Sequence, residues 1–137
     1  MTKNETTPIT SLDALIKKAK GLEDRPATVV IDAGSIKMEM NNLTDDEVLA
    51  YTEELTRMAS DGSDSIVDEL NKLKEVLYTH CPILREYAAS VKNENRAEPW
   101  DVFDELFDAA DKITLRNDFY AKSGINTVFE RVAGKNG

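Results

Sequence analysis

The sequence predicts an α+β fold that is mainly α, a single helical domain of about five helices with a small N-terminal β-hairpin. Three observations carry this. After residue 43, apolar residues recur three and four apart over several long stretches, which is the period of a helix buried on one face. The only period-two alternation lies between residues 28 and 40, and the turn Asp32-Ala33-Gly34-Ser35 interrupts it. The length, 137 residues, and the composition, 41% hydrophobic and 31% charged, are those of one ordinary globular unit. The expected boundaries are a flexible arm at 1–8, the domain at 9–132 and a flexible tail at 133–137.

In chain order, Ser11 can cap a short helix whose Leu12, Leu15, Ile16 and Ala19 share one face, expected to be buried, with Gly21 placed to end it. Pro26 breaks the pattern. The β-branched run Thr28-Val29-Val30-Ile31 then forms one arm of a hairpin, and Ile36, Met38 and Met40 point inward from the other. Leu43-Thr44-Asp45-Asp46-Glu47-Val48 is a capping box with a hydrophobic staple, so a helix starts there. Its stripe is Val48, Tyr51, Leu55 and Met58, and Asp61-Gly62-Ser63 stops it. A second long helix is expected from about Asp64 to Thr79, with Ile66, Leu70, Leu73 and Leu77 inside, Val67 and Val76 widening the stripe, and Pro82 as its stop. Residues 82–87 read as a short helical turn, and 90–98 as a polar loop most flexible near Asn93 to Asn95. Pro99 opens a helix bearing Trp100, Phe103, Leu106 and Phe107, and Asp108 caps a last helix that Gly124 closes.

Seventeen basic against twenty-six acidic residues give a net charge of -9, which repels phosphate backbones and argues against nucleic acid as a partner. The acid is concentrated: residues 44–75 carry net -7, while residues 1–25 carry net +1. That region is either a docking face for a basic partner or simply the solvated side of two helices. No apolar run reaches the roughly 20 residues a membrane span needs, and residues 1–8 lack the pattern of a secretory signal. With one cysteine, Cys81, the chain fits a reducing cytoplasm.

His80 and Cys81 are the only pair with the chemistry of base and nucleophile, but neighbours in sequence point in different directions. One His and one Cys cannot supply the three or four such ligands of a structural zinc site. Asp61, Ser63, Ser65 and Asp68 imitate the start of a calcium loop, yet Ile66 stands where that loop turns on Gly. The glycine-rich phosphate loops and the nucleophile elbow are absent. No catalytic residue, cofactor or metal is therefore expected. For a partner surface, the residues to choose are Met38, Met40, Trp100, Phe103 and Phe107, since methionine adapts to varied shapes and tryptophan anchors interfaces.

Three stretches go together. Val76-Leu77-Tyr78-Thr79-His80-Cys81-Pro82-Ile83-Leu84-Arg85, then Pro99-Trp100-Asp101-Val102-Phe103-Asp104-Glu105-Leu106-Phe107, then Ser123-Gly124-Ile125 resemble, in order and spacing, the tail assembly chaperones of Bacillus-type contractile-tail prophages. Where that family tends to a Pro-Gly-Glu turn after its Leu-Phe pair, this chain has Asp108-Ala109-Ala110-Asp111. The resemblance implies a protein that binds the long helical tape measure protein, keeps it soluble and helps tail-tube subunits assemble around it. It implies action in the cytoplasm of the bacterial host and absence from the finished virion. Many members also exist in a longer form made by translational frameshifting. A homo-oligomer is compatible with it. The alternative from charge alone is an acidic inhibitor or immunity-type protein that caps a basic surface.

Overall fold

The computed structural model describes Pro8 and residues 11–134, so most of the expected arm and the last three residues of the expected tail lie outside the described residues. Seven α-helices and one two-stranded antiparallel sheet are present there: α1 (Leu12–Glu23), β1 (Thr28–Asp32), β2 (Lys37–Asn41), α2 (Asp45–Asp61), α3 (Ile66–His80), α4 (Pro82–Ser90), α5 (Val102–Leu106), α6 (Ala109–Ser123) and α7 (Ile125–Gly134), with a 3-10 turn at Pro99–Asp101 before α5. The expectation of about five helices therefore falls short. Residues 82–90 make a full helix instead of one turn, and the stretch after Gly124 makes another.

The hairpin pairs Val29 with Met40 and Ile31 with Met38, which puts these four on one face, and Ile31, Met38 and Met40 are buried. Ile36 is not among them: it lies in the turn before β2 and is about half exposed, because the alternation begins one residue later. Two strands alone cannot hold a sheet in water, so helices cover it. α6 packs along β1, while α3 and α4 meet β2. The outer edge of β1 is also engaged by side chains of α6. Asp118 Oδ2 accepts from Asp32 N at 2.7 Å, and Lys122 Nζ donates to Val30 O at 2.6 Å.

The capping box forms as the sequence requires. Thr44 Oγ1 accepts from Glu47 N and Glu47 Oε1 accepts from Thr44 N, while Leu43 and Val48 on either side of it are buried. That backbone hydrogen bond from Thr44 is the main reason the Glu47 carboxyl titrates below its ordinary range. At the other end Gly62 takes the left-handed conformation, φ +74, and Ser63 N donates back to Met58 O at 2.9 Å. α3 starts one residue after Ser65, whose Oγ caps Asp68 N, and buries Leu73 and Leu77 completely. Ile66 and Val67 are exposed instead of buried, since the side of the first turn of α3 that meets α6 carries Glu69, whose Oε1 accepts from Tyr120 Oη at 3.0 Å.

Cys81 ends α3, and Pro82 occupies the first turn of α4, where its missing N–H costs nothing. Arg85 reaches back from α4 and donates to Tyr78 O and Thr79 O, two carbonyls left unpaired by the end of α3. The polar loop after α4 is stapled by Arg96, which donates to Ala88 O and Val91 O and grips Glu105 through two hydrogen bonds. Around Phe119, fully buried on α6, sit Tyr51 and Tyr120, with ring centroids 5.7 and 6.0 Å away. One core thus joins the inner faces of both strands with those of α2 to α7.

Candidate functional site

The residues with chemistry are spent on structure. Cys81 is fully buried, and that burial pushes its thiol up to about 12, so it carries no thiolate at neutral pH. His80 turns away from it. Its Nδ1 lies 2.9 Å from Val76 O and its Nε2 lies 3.1 Å from Glu47 Oε2, which ties the end of α3 to the start of α2. Ser65 and Asp68 cap α3, while Asp61 pairs with Arg57 at 2.6 Å, so the calcium-like pattern is dispersed between two helix ends. Among the described residues no three His, Cys, Asp or Glu side chains gather as a metal would need. No described helix is long and apolar enough to cross a membrane.

Of the five residues chosen as a partner surface, four belong to the core. Met38, Met40, Phe103 and Phe107 are buried, the two phenylalanine rings meeting edge to face at 5.4 Å. Lys112 Nζ closes over the Phe103 ring at 5.6 Å. Only Trp100 keeps part of its surface in water. Side chains this enclosed offer a partner no area unless the domain opens, because contact energy scales with surface removed from water.

Apolar surface lies elsewhere, at scattered residues such as Val67 and Ile83 and in two larger places. The first is α1. It folds as expected, with Ser11 Oγ accepting from Ala14 N at 3.2 Å, and it runs through Gly21 to Glu23 because Asp24 N bonds back to Lys20 O. Yet none of its residues is buried: Leu12, Leu15, Ile16 and Leu22 are each between 50% and 71% exposed. An apolar stripe this complete is unusual on a surface.

The second is a trough between α2 and α7 with a volume of about 520 Å³. Its walls come from Leu49, Thr52, Thr56 and Ser60 on α2 and from Val128 and Val132 on α7, with Glu53 and Arg57 at the side. Leu49 is 55% and Val132 46% exposed, so its walls reach the surface as aliphatic side chains. Buried at its side, Thr52 has a hydroxyl with no hydrogen-bond partner, which leaves that wall short of one polar contact. Sequence periodicity missed this trough for two reasons. Leu49 stands next to Val48 and off the inward stripe of α2, and α7 follows Gly124 directly, with only the long 3.4 Å bond from Ile125 N to Ser123 Oγ at its start.

Other hollows are more polar at the mouth. The one between α2 and α3, about 310 Å³, holds His80 and Glu47 beside Lys72 and Glu75. Compared with models of protein families, with curated proteins and with solved structures, the chain matches none.

Proposed function

We propose that this chain is a tail assembly chaperone of a phage or prophage. In this reading it binds the apolar side of the helical tape measure protein, keeps that protein soluble before assembly, assists the tail-tube subunits and performs no catalysis. It acts in the cytoplasm of the host and is left out of the finished virion. The observation that supports the reading is the trough between α2 and α7, bounded by two helices and carrying Leu49, Val128 and Val132 among hydroxyl and charged neighbours, which is the form in which proteins take up the apolar face of another helix. The resemblance over residues 76–125 supplies the identity of that helix.

The test is co-expression with the tape measure protein of the same phage, comparing its soluble yield with and without this chain. The expected result is a soluble tape measure protein that co-purifies at high salt, since apolar contacts are not screened. Leu49→Asp should abolish the capture. If the yield is unchanged, the chaperone reading is wrong. Capture of a basic protein that disappears as salt rises would point instead to the acidic-inhibitor reading, which rests on the net charge of -5 along α2.

A further inference from the structure

The hairpin has one closed edge and one open one, and we propose that the open edge of β2 pairs with β2 of a second copy, giving a two-fold dimer built on a four-stranded antiparallel sheet. This interface involves neither α1 nor the trough, and it does not depend on the function proposed above.

The ladder decides which backbone groups are available. In an antiparallel pair, alternate residues turn their N–H and C=O toward the partner strand, and the residues between them turn theirs outward. Ala33 N donates to Ile36 O and Asn42 N to Ala27 O, both at 2.9 Å, at the two ends of this ladder. Met38 and Met40 therefore face β1 with their backbone, and Lys37, Glu39 and Asn41 face away from it. On β1 the outward groups of Val30 and Asp32 are taken by Lys122 and Asp118. On β2, no described residue hydrogen-bonds to the backbone of Lys37, Glu39 or Asn41, and all three are exposed. Unpaired backbone groups are rare away from water, so this edge lies open.

The side chains on that edge say which strand fits. Lys37 and Glu39 project from the same outer face with opposite charges, and neither has an ion-pair partner among the described residues. A dyad through Met38 lays Lys37 opposite the second copy's Glu39, and Glu39 opposite its Lys37, as pairs that exchange both N–H···O bonds. Asp32 stands beside Lys37 on β1, where its Oδ1 accepts from Gly34 N at 2.7 Å. Each row of the joined sheet then reads Asp32, Lys37, Glu39 and Val30, the last two from the second copy, with charges alternating in sign.

Other registers lose this match. A dyad through Lys37 or Glu39 sets like charges face to face, and one through Met40 carries Lys37 past the end of the facing strand. Pairing β2 with β2 leaves only the two β1 edges outside, both already closed, so the sheet stops at four strands and the assembly at a dimer.

The experiment uses the full chain at low ionic strength, where charge pairs are least screened. Light scattering coupled to gel filtration, from 1 to 200 µM, should give a dimer that dissociates on dilution. Hydrogen exchange should slow at the Lys37 and Glu39 amides as it forms. Lys37→Glu and Glu39→Lys should each weaken self-association about tenfold, because both rows change from attraction to repulsion. Mixed in equal amounts, these two variants should associate with each other, and the Lys37→Glu/Glu39→Lys chain should dimerise again. Glu39→Pro removes the outward N–H without touching the ladder to β1, and should be monomeric. Circular dichroism should show each variant folded, and the charge variants decide the question if the proline variant unfolds.

A chain that stays monomeric at 200 µM overturns the inference. So does a dimer that survives Glu39→Pro, or one that every charge variant forms equally well. A monomer that binds a synthetic peptide of residues 35–42 would also overturn it. That result would assign the edge to an extended segment of another protein, with α3 and α4 beside β2 admitting a single strand but not a second copy.

Discussion

Arg96 illustrates how a loop that reads as flexible becomes ordered. Its guanidinium satisfies two carbonyls at the end of α4 and holds the Glu105 carboxylate with Nε and Nη2, at 2.6 and 2.7 Å, the kind of two-point grip that only a planar fork can make. These bonds from Arg96 hold the Glu105 carboxyl below its ordinary range. The sign follows: a depressed carboxylate pKa contributes stability that is full above the unfolded value, near 4.3, and is lost as pH falls through the folded value. Glu105→Gln should therefore melt below the parent chain from pH 7 down to pH 5, and the gap should close below about pH 4. Thermal melts at four pH values check it; a gap that persists unchanged at pH 3 would assign the loss to packing. Arg96 could not be found from its own segment, because its partner stands nine residues away and beyond a Pro.

For the elements, boundaries were legible where a side chain or a glycine enforces them. Ser11, Thr44 and Asp108 are N-caps as spacing requires, and Gly62 and Gly124 both take positive φ. Nothing lies within 4 Å of the space a Cβ would occupy at Gly62, so Gly62→Ala has room and suffers only from its left-handed backbone. It should cost about 1 kcal/mol in urea unfolding, with an unchanged m-value. A cost near zero would mean that α2 ends by another route in solution. Gly21 shows the opposite case: with negative φ and no structural demand on it, the helix passes straight through. The faces of elements were harder to read than their ends. α1 has the same apolar spacing as a core helix and buries nothing, because periodicity reports which side of a helix is apolar and not what covers it.

Over the whole molecule, the mainly helical class and the hairpin were visible in the sequence, whereas the distribution of exposed apolar surface was not. The aromatic cluster around Phe103 and Phe107 was chosen for its composition, but composition fills cores and interfaces alike. What separates the two is burial, a property of the assembled fold. Unfolding measured where it no longer depends on protein concentration should make the distinction plain: Phe119→Ala should cost about 3–5 kcal/mol, and Leu15→Ala less than about 0.5 kcal/mol. Equal losses would place α1 in the core of the monomer.

A sheet of two strands normally invites a third, and many proteins recognise extended peptides by letting them join an open strand edge. Here the outward N–H of Asp32 and the outward carbonyl of Val30 already belong to Asp118 and Lys122. A foreign strand arriving beside β1 would find its first ladder positions occupied and would have to evict two charged side chains to register. Templated β growth is suppressed on that side of the sheet, so the hairpin stays at two strands along β1.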